Sequence, residues 1–329
     1  MELILAHHSS YPRIGDSADH QLLRRTIAQW EKGEKTDADL RAAEDRMTEL
    51  ALSDQIEAGL EIVTDGQVRW YDAISHLAGK LEGIRITGLL RFFDTNTYFR
   101  QPVVQGQIER TQPLVVGDFQ FAKGKSSRPV KPVLTGPLTL ARHSVEGDGR
   151  AGSLEQLIES YAAALTSEVS DLAAAGASLI QIDEPSLLKH PEDLPQVERS
   201  LEAFGAAKGS SQLMLAVYFG DPAPIYEKLQ ALPVDALCLD FTYSPSLVGI
   251  VSTQGSAKPL ALGLVDGRNT RLEDPRTVAG QLEKIARRLG SARTWLSPSC
   301  GFEYLPRDRA QLKLKHLRTI REEFLGSAE

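Results

Sequence analysis

The chain has 329 residues, 42% hydrophobic and 25% charged, with a net charge of −7. A chain of that size can bury a large core without staples. Its acid excess argues against a phosphate-binding surface, so nucleic acid is not an expected partner.

No run approaches the roughly 20 apolar residues of a membrane span. The N-terminus runs straight into an apolar strand pattern without a basic leader, so no signal peptide is expected. Cys238 and Cys300 lie far apart and form no CxxC pair. That fits a reducing compartment, and the cytoplasm is the expected location.

Eight short apolar runs follow one another along the chain, at residues 3–6, 60–64, 131–135, 178–183, 212–219, 236–241, 260–265 and 294–298. Continuous Leu/Ile/Val runs of this length predict strands buried on both faces, as in a parallel sheet. Amphipathic stretches lie between them. Thr36 is placed to cap a helix reaching about Ala58, with Leu40, Ala43, Met47 and Leu50 on one stripe. Residues 154–175 and 274–289 read the same way. Eight strand–helix repeats predict an α/β fold closed into a (β/α)8 barrel, with an open doubly wound sheet as the alternative. About 65 residues between the second and third runs are too many for one connection. Residues 92–99 and 113–117 within them predict an excursion of extra strands, and 126–129 a returning loop. One domain over residues 1–329 is expected.

Barrel chemistry gathers at the C-terminal ends of the strands. Those ends carry His7, His8 and Ser10, then Asp65 and Gln67, then Asp183 and Glu184. Tyr218, Asp240, Arg268 and Cys300 follow. Acids at several strand ends predict a ligand with an amine or other polar groups.

Ser10-Tyr11-Pro12-Arg13, Val63-Thr64-Asp65-Gly66, Val133-Leu134-Thr135-Gly136-Pro137, Ile180-Gln181-Ile182-Asp183-Glu184-Pro185 and Ser299-Cys300-Gly301 occur in that order. In this the chain resembles the cobalamin-independent methionine synthase family over nearly its whole length. Phe93-Asp94-Thr95-Asn96, Tyr218-Phe219 and Gly267-Arg268-Asn269 look like the N-terminal, non-catalytic barrel of the two-barrel enzymes. Thr64-Asp65-Gly66 looks like the short single-barrel relatives.

The resemblance implies methyl transfer from a methyl-folate or methyl-corrinoid to a thiol such as homocysteine, held as a thiolate by zinc. It puts Leu215, Val217, Asp240 and Cys300 at the family's ligand positions, and two apolar residues cannot ligate zinc. His7 or His8 joining Asp240 and Cys300 is the remaining arrangement for a metal. The resemblance further implies that Ser10 meets the amino-acid carboxylate and Asp183 its amine. Gln67 stands at a glutamate position, and His143 replaces an indole that stacks on the pterin. Arg268 stands for a proton-donating histidine and, with a pKa too high for an acid, is suited to holding an anion. Asp65, Glu184 and Tyr218 complete the expected pocket; Asp183, Arg268 and Cys300 are the expected working groups, and Trp70 and Tyr71 could cover the mouth. The alternatives are a non-catalytic barrel that binds a ligand or partners a separate catalytic or corrinoid protein, and a pocket put to another small-molecule transformation.

Overall fold

The computed structural model describes residues 2–147, 152–289 and 293–326. Seven parallel strands form one sheet: β1 (Glu2–Leu5), β4 (Val133–Thr135), β6 (Leu179–Asp183), β7 (Gln212–Val217), β8 (Ala236–Asp240), β9 (Leu260–Val265) and β10 (Arg293–Pro298). Their spatial order is β1-β10-β9-β8-β7-β6-β4. Residues 60–64, expected as a strand, instead make two isolated parallel bridges, Ala6 to Ile62 and Val63 to Val130. Those bridges join β1 to the segment before β4 and close the barrel. The buried Gln55 holds this seam: its amide donates to the Thr64 carbonyl (3.0 Å) and accepts from the Thr64 N–H (2.9 Å).

The strand residues sort into two apolar groups, which fixes the direction of each side chain. Ile4, Ala6, Leu179, Met214, Ala216, Ala236, Cys238, Ala261 and Trp295 pack together inside the barrel. Leu5, Ile180, Leu215, Val217, Leu239, Leu262 and Leu296 pack outward against the helices. The main helices of that layer include α2 (Asp37–Glu57), α6 (Leu154–Ala174), α7 (Leu194–Ala207), α10 (Pro275–Leu289) and α11 (Arg307–Gly326). Thr36 caps α2 as expected, in a capping box with Asp39.

The excursion is present, but its strands lie elsewhere than the sequence pattern suggests. They are β2 (Glu82–Arg91) and β3 (Tyr98–Glu109), an antiparallel hairpin, with the short β5 (Val145–Glu146) beside β3. Residues 92–97 form the hairpin tip, closed by Phe92 N–H to the Thr97 carbonyl at 2.8 Å. Val115 leads into helix α4 (Val116–Lys125), so 113–117 is not a strand. Most β2 residues are exposed or half-exposed, which removes the two-fold alternation that marks a strand.

Candidate active site

Asp183 ends β6 pointing into the barrel, and its carboxylate is held from two sides. Gln181 Nε2 donates to Oδ1 at 2.6 Å, and Tyr218 OH donates to Oδ2 at 3.1 Å. Burial pushes its pKa up to about 6, with Gln181, Lys131 and Tyr218 opposing the rise. Tyr218, just past β7, also meets the His8 ring edge-on with centroids 5.0 Å apart. His8 Nδ1 pairs with Ser9 Oγ at 2.8 Å, whereas Nε2 is buried with no protein partner. Ser10 Oγ is likewise buried and open.

Asp240 closes β8 with Oδ1 accepting from Thr242 N–H, Thr242 Oγ1 and Tyr243 N–H, while Oδ2 has no partner. Burial raises its pKa. Open buried polar atoms are costly, and they mark where a ligand completes the bonding.

Two cavities lie by the hairpin tip and share Thr97 and Glu303; of the residues just described, Ser10 lines the first, and Asp183, Tyr218, His8 and Asp240 line neither. One of about 250 Å³ lies under the hairpin and is lined by Ser10, Arg13, Gln67, Trp70, Tyr71 and Glu303, among others. The other, about 300 Å³, is lined by Asp94, Thr95, Asn96, Thr97, Arg268, Glu303 and Tyr304. Glu303, exposed at the rim, borders both. Gly301 lets Glu303 approach Ser10: a Cβ there would sit 1.9 Å from Ser10 Oγ and 2.3 Å from Glu303 Oε2. Trp70 and Tyr71 do face the cavity, with the Arg13 and Arg100 guanidinium groups over the Tyr71 ring at 5.1 and 4.6 Å.

Several expected site residues have other duties. Glu184 accepts from Leu138 N–H, Thr139 N–H and Thr139 Oγ1 at 2.9, 2.8 and 2.6 Å. It therefore caps the short helix α5 (Pro137–His143), with both carboxylate oxygens engaged there. Asp65 turns away into the seam beside Val115, Phe119 and Val130, where burial and then the Asp118 charge push it up to about 6.

His143, half-buried, sits in an aromatic cluster of the hairpin tip. Phe92, Phe93 and Phe99 already surround its ring, at centroid distances of 5.4, 5.3 and 5.0 Å. Arg268 is bound to Asp266 (Nε to Oδ1, 2.9 Å) and to Thr242, yet still lines the second cavity. Cys300 is fully buried, its thiol pushed well above the usual range by burial and then by Asp240. An unaided thiol held that way is no nucleophile.

The metal reading is corrected in two respects. Leu215 and Val217 lie in the outward apolar group, so no side chain at either position reaches the lumen from this register. The lumen-facing residues of β7 are Met214 and Ala216, followed by Tyr218. Nor do His7, His8, Asp240 and Cys300 converge. Among the described residues, the trio of His, Cys, Asp or Glu donors gathered within 4.8 Å is His190, Glu192 and Asp193, on the chain after β6. His7 Nε2 is taken up with the Ser10 carbonyl at 3.0 Å, and burial pushes its pKa down to about 3. These donors, as they stand, do not fit a zinc ion.

Residues 10–323 match the family model described as the catalytic domain of cobalamin-independent synthase. The chain belongs to the cobalamin-independent methionine synthase family. The methionine synthase of Saccharolobus solfataricus is 31% identical over 324 residues, 95% of this chain and 93% of that one. The enzyme of Sulfurisphaera tokodaii is also 31% identical, over 95% and 91%.

Among solved structures, a B12-independent methionine synthase from Shewanella sp. W3-18-1, in complex with selenomethionine, superposes with a TM-score of 0.78. Identity there is 20%, with 99% of this chain and 100% of that chain covered. A putative vitamin-B12-independent methionine synthase from Listeria monocytogenes gives 0.75 at 17% identity, covering 98% and 99%. At such identities the superpositions establish the shared barrel fold. No helix among the described residues is long and apolar enough to cross a membrane.

Sequence reasoning missed Glu303, Tyr304, Lys131 and the tie from Gln181. Glu303 follows Cys300 by three residues, one turn beyond the strand end where the motif stops. Lys131 heads the run 131–135, two residues before β4, and a charge at the entry to a strand buried on both faces was the available signal.

Proposed function

We propose that this chain is a methyltransferase that delivers a methyl group to the sulfur of homocysteine and grips that amino acid by its amine at Asp183. The observation that carries the reading is the Asp183 carboxylate, buried at a strand end and held by Gln181 and by Tyr218, whose ring meets His8, itself left with a buried, unpartnered Nε2. A buried carboxylate so held suits an ammonium group that completes its bonding. Ser10 Oγ would donate to the ligand carboxylate. In the transfer the thiol loses its proton, the sulfur–methyl bond forms and the donor's bond to the methyl breaks. Asp240 Oδ2, open and with its proton affinity raised by burial, is the base that this site offers for the thiol proton. A methyl-corrinoid on a separate protein, or a methyl-folate, would supply the methyl through the cavities that Glu303 borders. The buried, unpaired cysteines accord with a cytoplasmic setting.

Calorimetry with homocysteine and with 4-mercaptobutanoate, which lacks only the amine, tests the grip. The amine-bearing compound is expected to bind at least about 10-fold more tightly, the worth of one charge-assisted bond. Equal binding of the two would overturn the assignment of Asp183.

A further inference from the structure

Within the barrel, beyond Gln181 from Asp183, lies a lysine whose ammonium pairs with no carboxylate among the described residues. Lys131 is 3% exposed, and its ammonium donates to Gln181 Oε1. The same Gln181 amide then donates from Nε2 to Asp183 Oδ1 at 2.6 Å. An amide can take two orientations, and here the ammonium selects one. With the carbonyl drawn to Lys131, the NH₂ must face Asp183; flipped, the carbonyl would oppose the carboxylate and the NH₂ would oppose the ammonium. A buried lysine is expensive to retain, and replacing it with an apolar residue of similar length would ordinarily stabilise a barrel interior.

The geometry points to Lys131 as a positioning residue: through Gln181 it holds Asp183 as an oriented carboxylate, ready for the amine of the ligand. This rests on the reading of Asp183 given above. The ionisable groups facing Asp183 are Lys131, Tyr218, Cys238, Glu184 and Glu303. Glu184 and Glu303 oppose ionisation of Asp183, and Cys238 and Tyr218 stay neutral because burial raises both. Lys131 is the cation among them, and burial pushes its own pKa down to about 8, so it is charged at neutral pH.

The test is the titration of Asp183 itself, followed by NMR in full-length protein carrying ¹³C-carboxyl aspartate, the signal being assigned by its loss in Asp183→Asn. Lys131→Met should raise the Asp183 midpoint by about one pH unit, the effect of losing one nearby cation. Gln181→Met, which cuts the link and keeps the lysine, should raise it in the same direction, and it serves if Lys131→Met fails to fold. The pH below which homocysteine binding is lost should rise with the midpoint, whereas 4-mercaptobutanoate binding should not change. An unmoved midpoint in a variant that melts like wild type would overturn the role of Lys131. Failure of homocysteine to bind the wild type would instead overturn the ligand reading, with the titration still deciding the lysine.

Discussion

Replacing Asp183 with asparagine keeps its shape and removes its charge, which separates binding from stability. An ordinary carboxylate has its pKa near 3.8, and burial holds this one at about 6. The folded state therefore takes up the Asp183 proton more readily than the unfolded chain does, so this group's contribution to stability improves as pH falls through 6 toward 4. Above pH 6 the ionised group is a cost. Asp183→Asn should accordingly melt no lower than wild type at pH 7.5, while homocysteine affinity falls by about 2 kcal/mol, roughly 30-fold. Calorimetry and thermal melts read both, and a lower melting temperature with unchanged affinity would return Asp183 to a structural role. The neighbouring acid is expected to behave in the opposite way. Glu184→Ala orphans three donors at the start of α5, so it should cost about 2–3 kcal/mol of stability and leave homocysteine affinity unchanged once folded. The sequence placed these two adjacent acids at a strand end but could not divide their duties. The division depends on Gly136, whose missing side chain admits the Glu184 carboxylate, and that proximity is a fact of three dimensions.

At the scale of the element, β7 carries the most consequential difference between sequence and structure. Position by position, the motif sets Leu215 and Val217 where relatives carry metal ligands, but a one-residue difference in register exchanges the two faces of a strand. Leu215 and Val217 face the helices; Ala216 and Tyr218 face inward. The double substitution Leu215→His with Val217→Cys should therefore gain no zinc and should destabilise the apolar layer. Ala216→His with Tyr218→Cys, at the same spacing on the inner face, should bind zinc measurably in a chelator competition. If the first pair bound zinc and the second did not, the register would be wrong. Continuous apolar runs made the barrel strands legible because they are buried on both faces. The hairpin was located but its strands were misplaced, because Phe92 and Phe93 crowd the tip whereas β2 is largely exposed.

For the whole molecule, closure rests on a seam that contains no full strand. Two isolated bridges and the Gln55 amide join residues 60–64 to their neighbours. Gln55→Ala should leave the Thr64 N–H and carbonyl without these partners and cost about 2 kcal/mol. Hydrogen exchange should locate the loss at residues 62–64 and spare β7 and β8; uniform loosening would contradict the seam. The same closed barrel sets Asp183 and Asp240 at strand ends of one mouth, with His8 edge-on to Tyr218. The central claim, that this mouth transfers a methyl group to homocysteine, is tested most directly by mass spectrometry. Homocysteine would be incubated with ¹³C-methyl-labelled methylcobalamin or methyltetrahydrofolate, with wild type and with Asp183→Asn. The expected result is labelled methionine from at least one donor with wild type, reduced at least about 10-fold in the variant at subsaturating homocysteine. No labelled methionine from either donor, or equal yields from the two proteins, would contradict the claim.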